Sequence, residues 1–223
     1  MNKVCVVIPA YNVVPTLGSL LMQLKALHLA VVVVDDGSTD GTGEVAVEAN
    51  VEVIRHETNC GKGKSLRDGM QWGLSRGYSV FVLMDGDGQH LPRDLQRLVS
   101  AVEKPGVGVA VGNRMGNLHS MPYIRRCTNW TMSLFISLLC RQRIPDSQCG
   151  YRAITKRLLS GMALNTTHFE IESEMLLRAS GLGARIRSVP IRCVYEGGKS
   201  AIHPLRDTLR FFGFIFQYLL SKK

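Results

Sequence analysis

Residues Ser79 to Pro92, Ser-Val-Phe-Val-Leu-Met-Asp-Gly-Asp-Gly-Gln-His-Leu-Pro, constrain this chain more than any other stretch. The β-branched and aromatic run from Val80 to Met84 reads as a buried strand, and it stops abruptly on Asp85 and Asp87, with one glycine between them. Ligands of open α/β sheets bind outside the carboxyl ends of the strands, so such a strand aims both carboxylates at a ligand. Gly86 and Gly88 leave room for close approach, and Gln89 and His90 add polar atoms. Oxygen donors of this kind suit Mg²⁺ or Mn²⁺, which combine a few carboxylates with the phosphates of a substrate. Asp and Gly are also ordinary turn residues, and only the rest of the chain separates a turn from a site.

That rest alternates strands and helices. Val4 to Ile8 reads as a strand, Pro9-Ala10-Tyr11-Asn12 as its loop, and Pro15 to His28 as a helix with a stripe of Leu17, Leu20, Leu21, Leu24 and Leu27. Val31 to Val34 runs without polar interruption into Asp35-Asp36-Gly37-Ser38-Thr39-Asp40-Gly41-Thr42. A strand so apolar is buried on both faces, which means a parallel sheet covered by helices. Side chains alternate along a strand, so one of Asp35 and Asp36 is expected to face a ligand and the other to tie down the loop. A helix over Glu44–Ala49, a strand over Val51–Arg55, a helix over Leu66–Ser75, a helix over Pro92–Glu103 and a strand over Val107–Val111 follow, the last leading to Gly112-Asn113-Arg114. The class is α/β, with a mostly parallel central sheet flanked by helices.

The second half changes character. Tyr123 to Cys140 reads as one helix with Arg125 and Arg126 near its start, Asp146 to Ile154 as loop and short strand, and His168 to Ala179 as a helix carrying Glu170, Glu172 and Glu174. Arg185 to Val194 reads as an edge strand, where Pro190 is tolerated. A loop, Tyr195-Glu196-Gly197-Gly198-Lys199-Ser200, leads to a helix from Leu205 onward. At about 100° per residue, Arg206, Arg210, Gly213, Gln217 and Ser221 share a narrow stripe of that helix, and apolar residues from Leu209 to Leu220 cover the rest. So wide an apolar face is covered by the domain, by a second subunit or by a bilayer surface.

Charge and composition narrow the partners. A formal charge of +9 on 223 residues implies an anionic one, yet no basic run is interleaved with aromatics as on a nucleic-acid surface. The six cysteines form no Cys-x-x-Cys pair, which speaks for a reducing compartment and against a zinc site. Met1-Asn2-Lys3 enters a strand directly, and no segment has the roughly 20 apolar residues that span a bilayer, so a soluble or peripheral protein of the cytoplasmic side is expected. Gly63-Lys64-Ser65 at a helix start resembles the end of a P-loop, but Thr58 stands where that pattern needs glycine. The loop after the first strand has no glycine, which argues against a dinucleotide fold.

Taken in order, Val7-Ile8-Pro9-Ala10-Tyr11-Asn12, the Asp35–Thr42 segment, Asn59-Cys60-Gly61-Lys62-Gly63, Asp85-Gly86-Asp87-Gly88-Gln89-His90, Gly112-Asn113-Arg114 and Gly150-Tyr151-Arg152 resemble family 2 glycosyltransferases of the GT-A fold. The branch is that of dolichol-phosphate mannose synthases and other polyprenyl-phosphate glycosyltransferases, and the match runs through nearly the whole chain. The resemblance implies metal-dependent, inverting transfer from a GDP- or UDP-linked sugar. Pro9, Ala10, Tyr11, Asp35, Asp36 and Lys62 would bind the nucleotide sugar together with Asp85, Gly86 and Asp87. Asp85 and Asp87, with Gln89, would hold the metal. Residues 1–112 form the nucleotide-sugar half, 113–204 the acceptor half, and 205–223 an appended amphipathic helix.

No Gln-x-x-Arg-Trp motif accompanies a base for a hydroxyl acceptor, whereas an acceptor phosphate is already ionised and needs only orientation. Arg114, Arg125, Arg126 and Lys199 are the candidates for holding it, Arg114 also counting as catalytic. Val13 replaces a glutamate that many relatives carry after Tyr-Asn, and of Glu172 and Glu174 at most one can face the site. A membrane-anchored partner or a second copy could meet a lipid acceptor. The alternatives are transfer to a glycan or other hydroxyl, and a binding module without turnover.

Overall fold

The computed structural model describes residues 3–116, 123–194 and 204–220. Lys199 and the Gly-Gly-Lys-Ser segment lie outside them, as do Lys222 and Lys223. Seven strands make one sheet in the order β3-β2-β1-β4-β6-β5-β7. The strands are β1 (Val4–Ala10), β2 (Ala30–Asp35), β3 (Glu52–Arg55), β4 (Val80–Leu83), β5 (Val107–Asn113), β6 (Arg152–Thr155) and β7 (Arg185–Pro190). Between them run α1 (Val14–Ala26), α2 (Thr42–Glu48), α3 (Lys62–Ser75), α4 (Leu95–Val102), α5 (Tyr123–Cys140), α6 (Lys156–Leu159) and α7 (Ile171–Gly181), and α8 (Pro204–Leu220) closes the chain.

The strands run parallel, except for β6, which is antiparallel to both β4 and β5. Val6, Val7, Ile8, Val32, Val33, Phe81 and Val82 are fully buried, as expected of β-branched and aromatic strands covered on both faces. Because β1, β2 and β4 are parallel neighbours, Pro9–Tyr11, Asp35–Asp36 and Asp85–Asp87 arrive at the same edge of the sheet. The reversed strand β6 enters that edge from the opposite direction, pairing Arg152 with Leu83, and so delivers Gly150 and Tyr151 to the tip of β4. The sheet is thus continuous across the two halves expected from the sequence.

Most elements lie within a few residues of the expected ones, with two informative differences. Helix α3 begins at Lys62, ahead of the expected Leu66, so Gly63-Lys64-Ser65 lies inside the helix. Its first turn is capped by the chain itself: Thr167 O accepts from Gly63 N at 2.7 Å and from Lys64 N at 3.3 Å, leaving those amides unavailable for a phosphate. The helix expected from Pro92 opens as a 3₁₀ turn over Pro92–Asp94 before α4 begins.

Helix α3 packs on β1 and β2, and Gly69 is what lets it come so close. A methyl group there would collide with Val7 Cγ1 and lie 3.1 Å from Val34 Cγ2. At an open helical position Gly→Ala stabilises by about 1 kcal/mol. Here overpacking reverses the sign, and Gly69→Ala is expected to cost about 1–3 kcal/mol. Urea unfolding checks this, and a midpoint that rises in the variant would refute the packing argument.

Candidate active site

The site gathers around an ion triad. Lys62, the first residue of α3, points its ammonium between Asp85 Oδ1 at 2.6 Å and Glu172 Oε1 at 2.7 Å. These groups come from α3, the tip of β4 and the first turn of α7, so the triad joins segments far apart in sequence. Burial alone would strip the lysine of its charge, but the two carboxylates outweigh it and raise its pKa. Burial likewise pushes Asp85 up, and Lys62 first, then His90 and Arg114, overcome it and hold Asp85 at about 2.

Two residues of the Gly-Tyr-Arg motif build the wall of this triad. A Cβ on Gly150 would stand 2.5 Å from Asp85 Oδ2 and 2.9 Å from Lys62 Nζ, so only glycine admits the pair. Arg152 is fully buried and donates to Cys149 O at 2.8 Å, to Ser147 O at 2.7 Å and to Glu172 O. It ties the Asp146–Gly150 loop to the start of α7. Tyr151 stacks on His90 with ring centres 5.0 Å apart, and its hydroxyl donates to Leu91 O at 3.2 Å.

Asp87 differs from its neighbour. Its Oδ1 accepts the Gln89 amide at 3.0 Å; the carboxylate stands at the exposed rim of the tip, where partial desolvation by the surrounding chain, and after it the charge of Asp85, raises its pKa. The tip therefore carries one carboxylate neutralised by Lys62 and a second whose charge is undercompensated. That is the electrostatic condition for a divalent cation, and Asp87 with Asp85 and the Gln89 side chain supplies the hard oxygen donors that Mg²⁺ or Mn²⁺ takes. The one cluster of three His, Cys, Asp or Glu ligand atoms within 4.8 Å among the described residues lies elsewhere, at Asp36, His56 and Cys60. Its aspartate is already filled, accepting from His56 Nδ1 at 2.6 Å, Cys60 N at 2.9 Å and Gly61 N at 2.8 Å, and His56 Nε2 is held by Asp68 at 2.8 Å.

The nucleotide-side candidates line the same edge. Ala10 ends β1 and its carbonyl accepts from Asp36 N at 2.9 Å, while Tyr11 is half exposed beyond it. Asp35 accepts from Ser38 N at 3.0 Å. Both aspartates thus tie down loops, in contrast to the division of labour expected from strand alternation. Asp36 fixes the Asn59–Gly61 turn, and Gly61, at φ 92°, supplies the left-handed bend that swings Lys62 inward. Gly86 accepts from Thr16 Oγ1 at 2.7 Å, which anchors the acidic tip to α1.

On the acceptor side, Arg114 is gripped by buried Asp146 through Nε and Nη2, both at 2.8 Å, and its charge helps to lower Asp85. Asp146 also accepts from Asn129 Nδ2 at 2.8 Å. Arg125 is half buried at the start of α5 and its charge reaches Asp87, whereas Arg126 is exposed. Val194 donates to Gln89 O at 3.0 Å, which ties the segment after β7 to the loop at the tip of β4. Glu172 faces the site, and Glu174 turns away to accept from Asn165 N, Thr166 N and Thr166 Oγ1. Sequence reading left Asp146 and the part played by Arg152 unassigned. Their signal was a lone acid and a lone base in the otherwise uncharged stretch Asp146–Ile154.

A model of the family described as glycosyl transferase family 2 matches residues 5–179. The chain belongs to that family. Undecaprenyl-phosphate mannosyltransferase of Micrococcus luteus is 34% identical over 205 residues, covering 86% of this chain and 84% of that one. Polyprenol monophosphomannose synthase of Mycolicibacterium smegmatis is 32% identical over 204 residues, covering 85% and 77%. Among solved structures, glucosyl-3-phosphoglycerate synthase from Mycobacterium tuberculosis with Mn²⁺ and UDP-glucose has a TM-score of 0.72 at 19% identity, covering 99% of this chain and 78% of that one. The fold is therefore GT-A, and the chain is a glycosyltransferase.

In this family 2 glycosyltransferase, burial lowers His90 to about 4 from 6.5. Between those values the unfolded chain binds a proton that the folded chain refuses, so stability falls as pH drops through that window. The loss reaches roughly 3 kcal/mol at its acid end. His90→Gln, which cannot titrate, is expected to flatten this slope in urea unfolding between pH 6.5 and 4.5. An equally steep slope in the variant would exclude His90 as its source.

Proposed function

We propose that the enzyme transfers a sugar, with inversion, from a nucleotide sugar to a polyprenyl phosphate at a membrane face, with a divalent metal at Asp85 and Asp87. The observation that carries the acceptor assignment is the commitment of three acidic residues on the acceptor side. Asp146 is paired with Arg114, Glu172 with Lys62, and Glu174 with the amides of residues 165 and 166. None of these three is left as a base for a hydroxyl, and an ionised phosphate oxygen requires none. Relatives that cover most of the chain bear the names of undecaprenyl-phosphate and polyprenol mannosyl transferases, which supports the same acceptor class.

The chemistry is one displacement. An acceptor phosphate oxygen forms a bond to the anomeric carbon from one face as the bond to the donor diphosphate breaks on the other, which inverts that carbon. Bound between Asp87, Gln89 and Asp85, the metal would neutralise charge developing on the departing diphosphate. Lys62 adds a fixed positive charge to the same edge, and the Pro9–Tyr11 loop and Asp36 frame the nucleoside. Arg125 and Arg126, in the first turn of α5, would orient the acceptor phosphate, with Lys199 as a further candidate. Arg114 acts through the field it adds at Asp85.

A membrane face suits the outer surface of α5 and α8. Trp130, Leu138 and Phe216 are 61%, 65% and 64% exposed, and Phe135 meets Phe212 edge to face at 5.4 Å, which joins the two helices. No helix among the described residues is long and apolar enough to cross a bilayer. An apolar surface of this extent on a soluble domain marks an interaction site.

The test is a panel of GDP and UDP sugars with Mn²⁺ and either a short polyprenyl phosphate or free sugars as acceptor. A lipid-linked product of inverted anomeric configuration is expected, lost on chelation and reduced at least about a hundredfold in Asp87→Asn. Transfer to free sugars alone, or undiminished transfer by Asp87→Asn, would overturn the proposal.

A further inference from the structure

A second polar site lies on the far side of the Asn165–His168 turn. There a cleft of about 580 Å³ opens between that turn, α7 and α8, with Thr167, His168, Glu170, Arg178, Arg210 and Gln217 among its walls. Helix α8 packs on the domain through Phe211, Ile215 and Tyr218, and this turns the narrow polar stripe of its sequence into the cleft. Gly213, between Arg210 and Gln217 on that stripe, leaves open space where a side chain would stand.

The unsatisfied group is the Nε–H of Arg178. Its Nε is buried without a hydrogen-bond acceptor, the only such side-chain atom among the described residues. Its Nη2 stands 3.5 Å from Glu174 Oε1, and its guanidinium lies 5.8 Å from the centre of the Tyr218 ring. Glu174 does not relieve it, because that carboxylate is taken up by Asn165 N, Thr166 N and Thr166 Oγ1. A buried guanidinium N–H without an acceptor is destabilising, and a ligand oxygen in the cleft would relieve it.

From the unsatisfied Arg178, the facing Arg210 and the cleft between them, we infer that this is an anion site for the phosphate of a membrane-lipid headgroup. Two guanidinium forks match phosphate oxygens in geometry and charge. The carboxylates of Glu170 and Glu174 balance the arginines, which favours a singly charged phosphodiester over a polyphosphate such as the sugar donor. The lipid source follows from the neighbourhood: Phe216 and Leu220 are exposed on the same helix, each three residues on from a cleft residue, Gly213 and Gln217, and so next to the cleft, where acyl chains would lie.

The site is distinct from the donor centre. Glu172 and Glu174 leave α7 in different directions, one to Lys62 and the other to the 165–166 amides. The two sites nevertheless share a wall, because Thr167 O caps Gly63 and Lys64, and Arg67 Nη1 donates to Thr166 O at 2.6 Å. A headgroup in the cleft would brace the turn that positions the first turn of α3. The inference does not rest on the choice of acceptor, and its failure would leave the transfer assay unaffected.

The experiment follows amide hydrogen exchange in residues 163–170 and 208–218 of the full chain with phosphatidylglycerol vesicles and, separately, with inorganic phosphate. Slowed exchange is expected with both probes, at lower phosphate concentration with vesicles. Arg178→Gln with Arg210→Gln is expected to weaken both effects at least about tenfold. Arg157→Gln with Arg187→Gln, which removes the same charge from exposed positions elsewhere, should leave them unchanged. Arg210→Gln alone serves if Arg178→Gln does not fold. Equal weakening in both double variants, or none in either, would overturn the site. Protection by inorganic phosphate without protection by vesicles would overturn the lipid assignment.

Discussion

One ammonium group placed between a buried and a half-buried carboxylate holds the functional edge of this protein together. Lys62 reaches Asp85 and Glu172 from the start of a helix whose position is fixed by Asp36, by the left-handed Gly61 and by the Thr167 carbonyl. Buried charges are costly, and removing one partner of such a pair typically costs 3–5 kcal/mol, roughly, because it strands the others. The surrounding sequence makes the triad affordable: Gly150 leaves the space, and Arg152 fixes the backbone that carries Glu172. Because the three groups come from the strand tip, from α3 and from α7, the triad also sets how the nucleotide side meets the acceptor side.

The same arrangement creates an asymmetry between neighbouring aspartates. Asp85 is ionised and paired, while Asp87 sits in its field with too little positive charge nearby, so a proton or a cation is drawn to it. Under the proposed function, Lys62 already supplies part of the charge that Asp85 requires, so a metal arriving with its diphosphate would suit the tip better than a metal alone. Across the fold from it, three acids are spoken for: Asp146 by Arg114 and Asn129, Glu172 by Lys62, and Glu174 by the turn at residues 165–166.

Much of this was legible in the chain. The valine-rich strands, the leucine stripe of α1 and the long α5 follow directly from apolar periodicity, and the acidic tip announces itself because an apolar run ends on Asp-Gly-Asp. What could not be read were contacts made across the fold. The reversed insertion of β6 beside β4 depends on pairing between distant segments, and it alone puts Gly150 against Asp85. Glu172 and Glu174 look equivalent in sequence, and only the packed position of α7 separates the one that meets Lys62 from the one that caps a turn. Arg114 reads in the sequence as one candidate for holding phosphate, and nothing there shows that Asp146, 32 residues later, pairs with it.

The central claim is that the tip of β4 receives a divalent ion together with the donor diphosphate. Anomalous diffraction at the manganese edge, from crystals soaked with Mn²⁺ and a nucleoside diphosphate, addresses it directly. The account predicts a single strong peak within bonding distance of an Asp87 oxygen, with the diphosphate on its open side and Lys62 still beside Asp85. A peak among Asp36, His56 and Cys60, or a diphosphate bound with no ion at the tip, would contradict it.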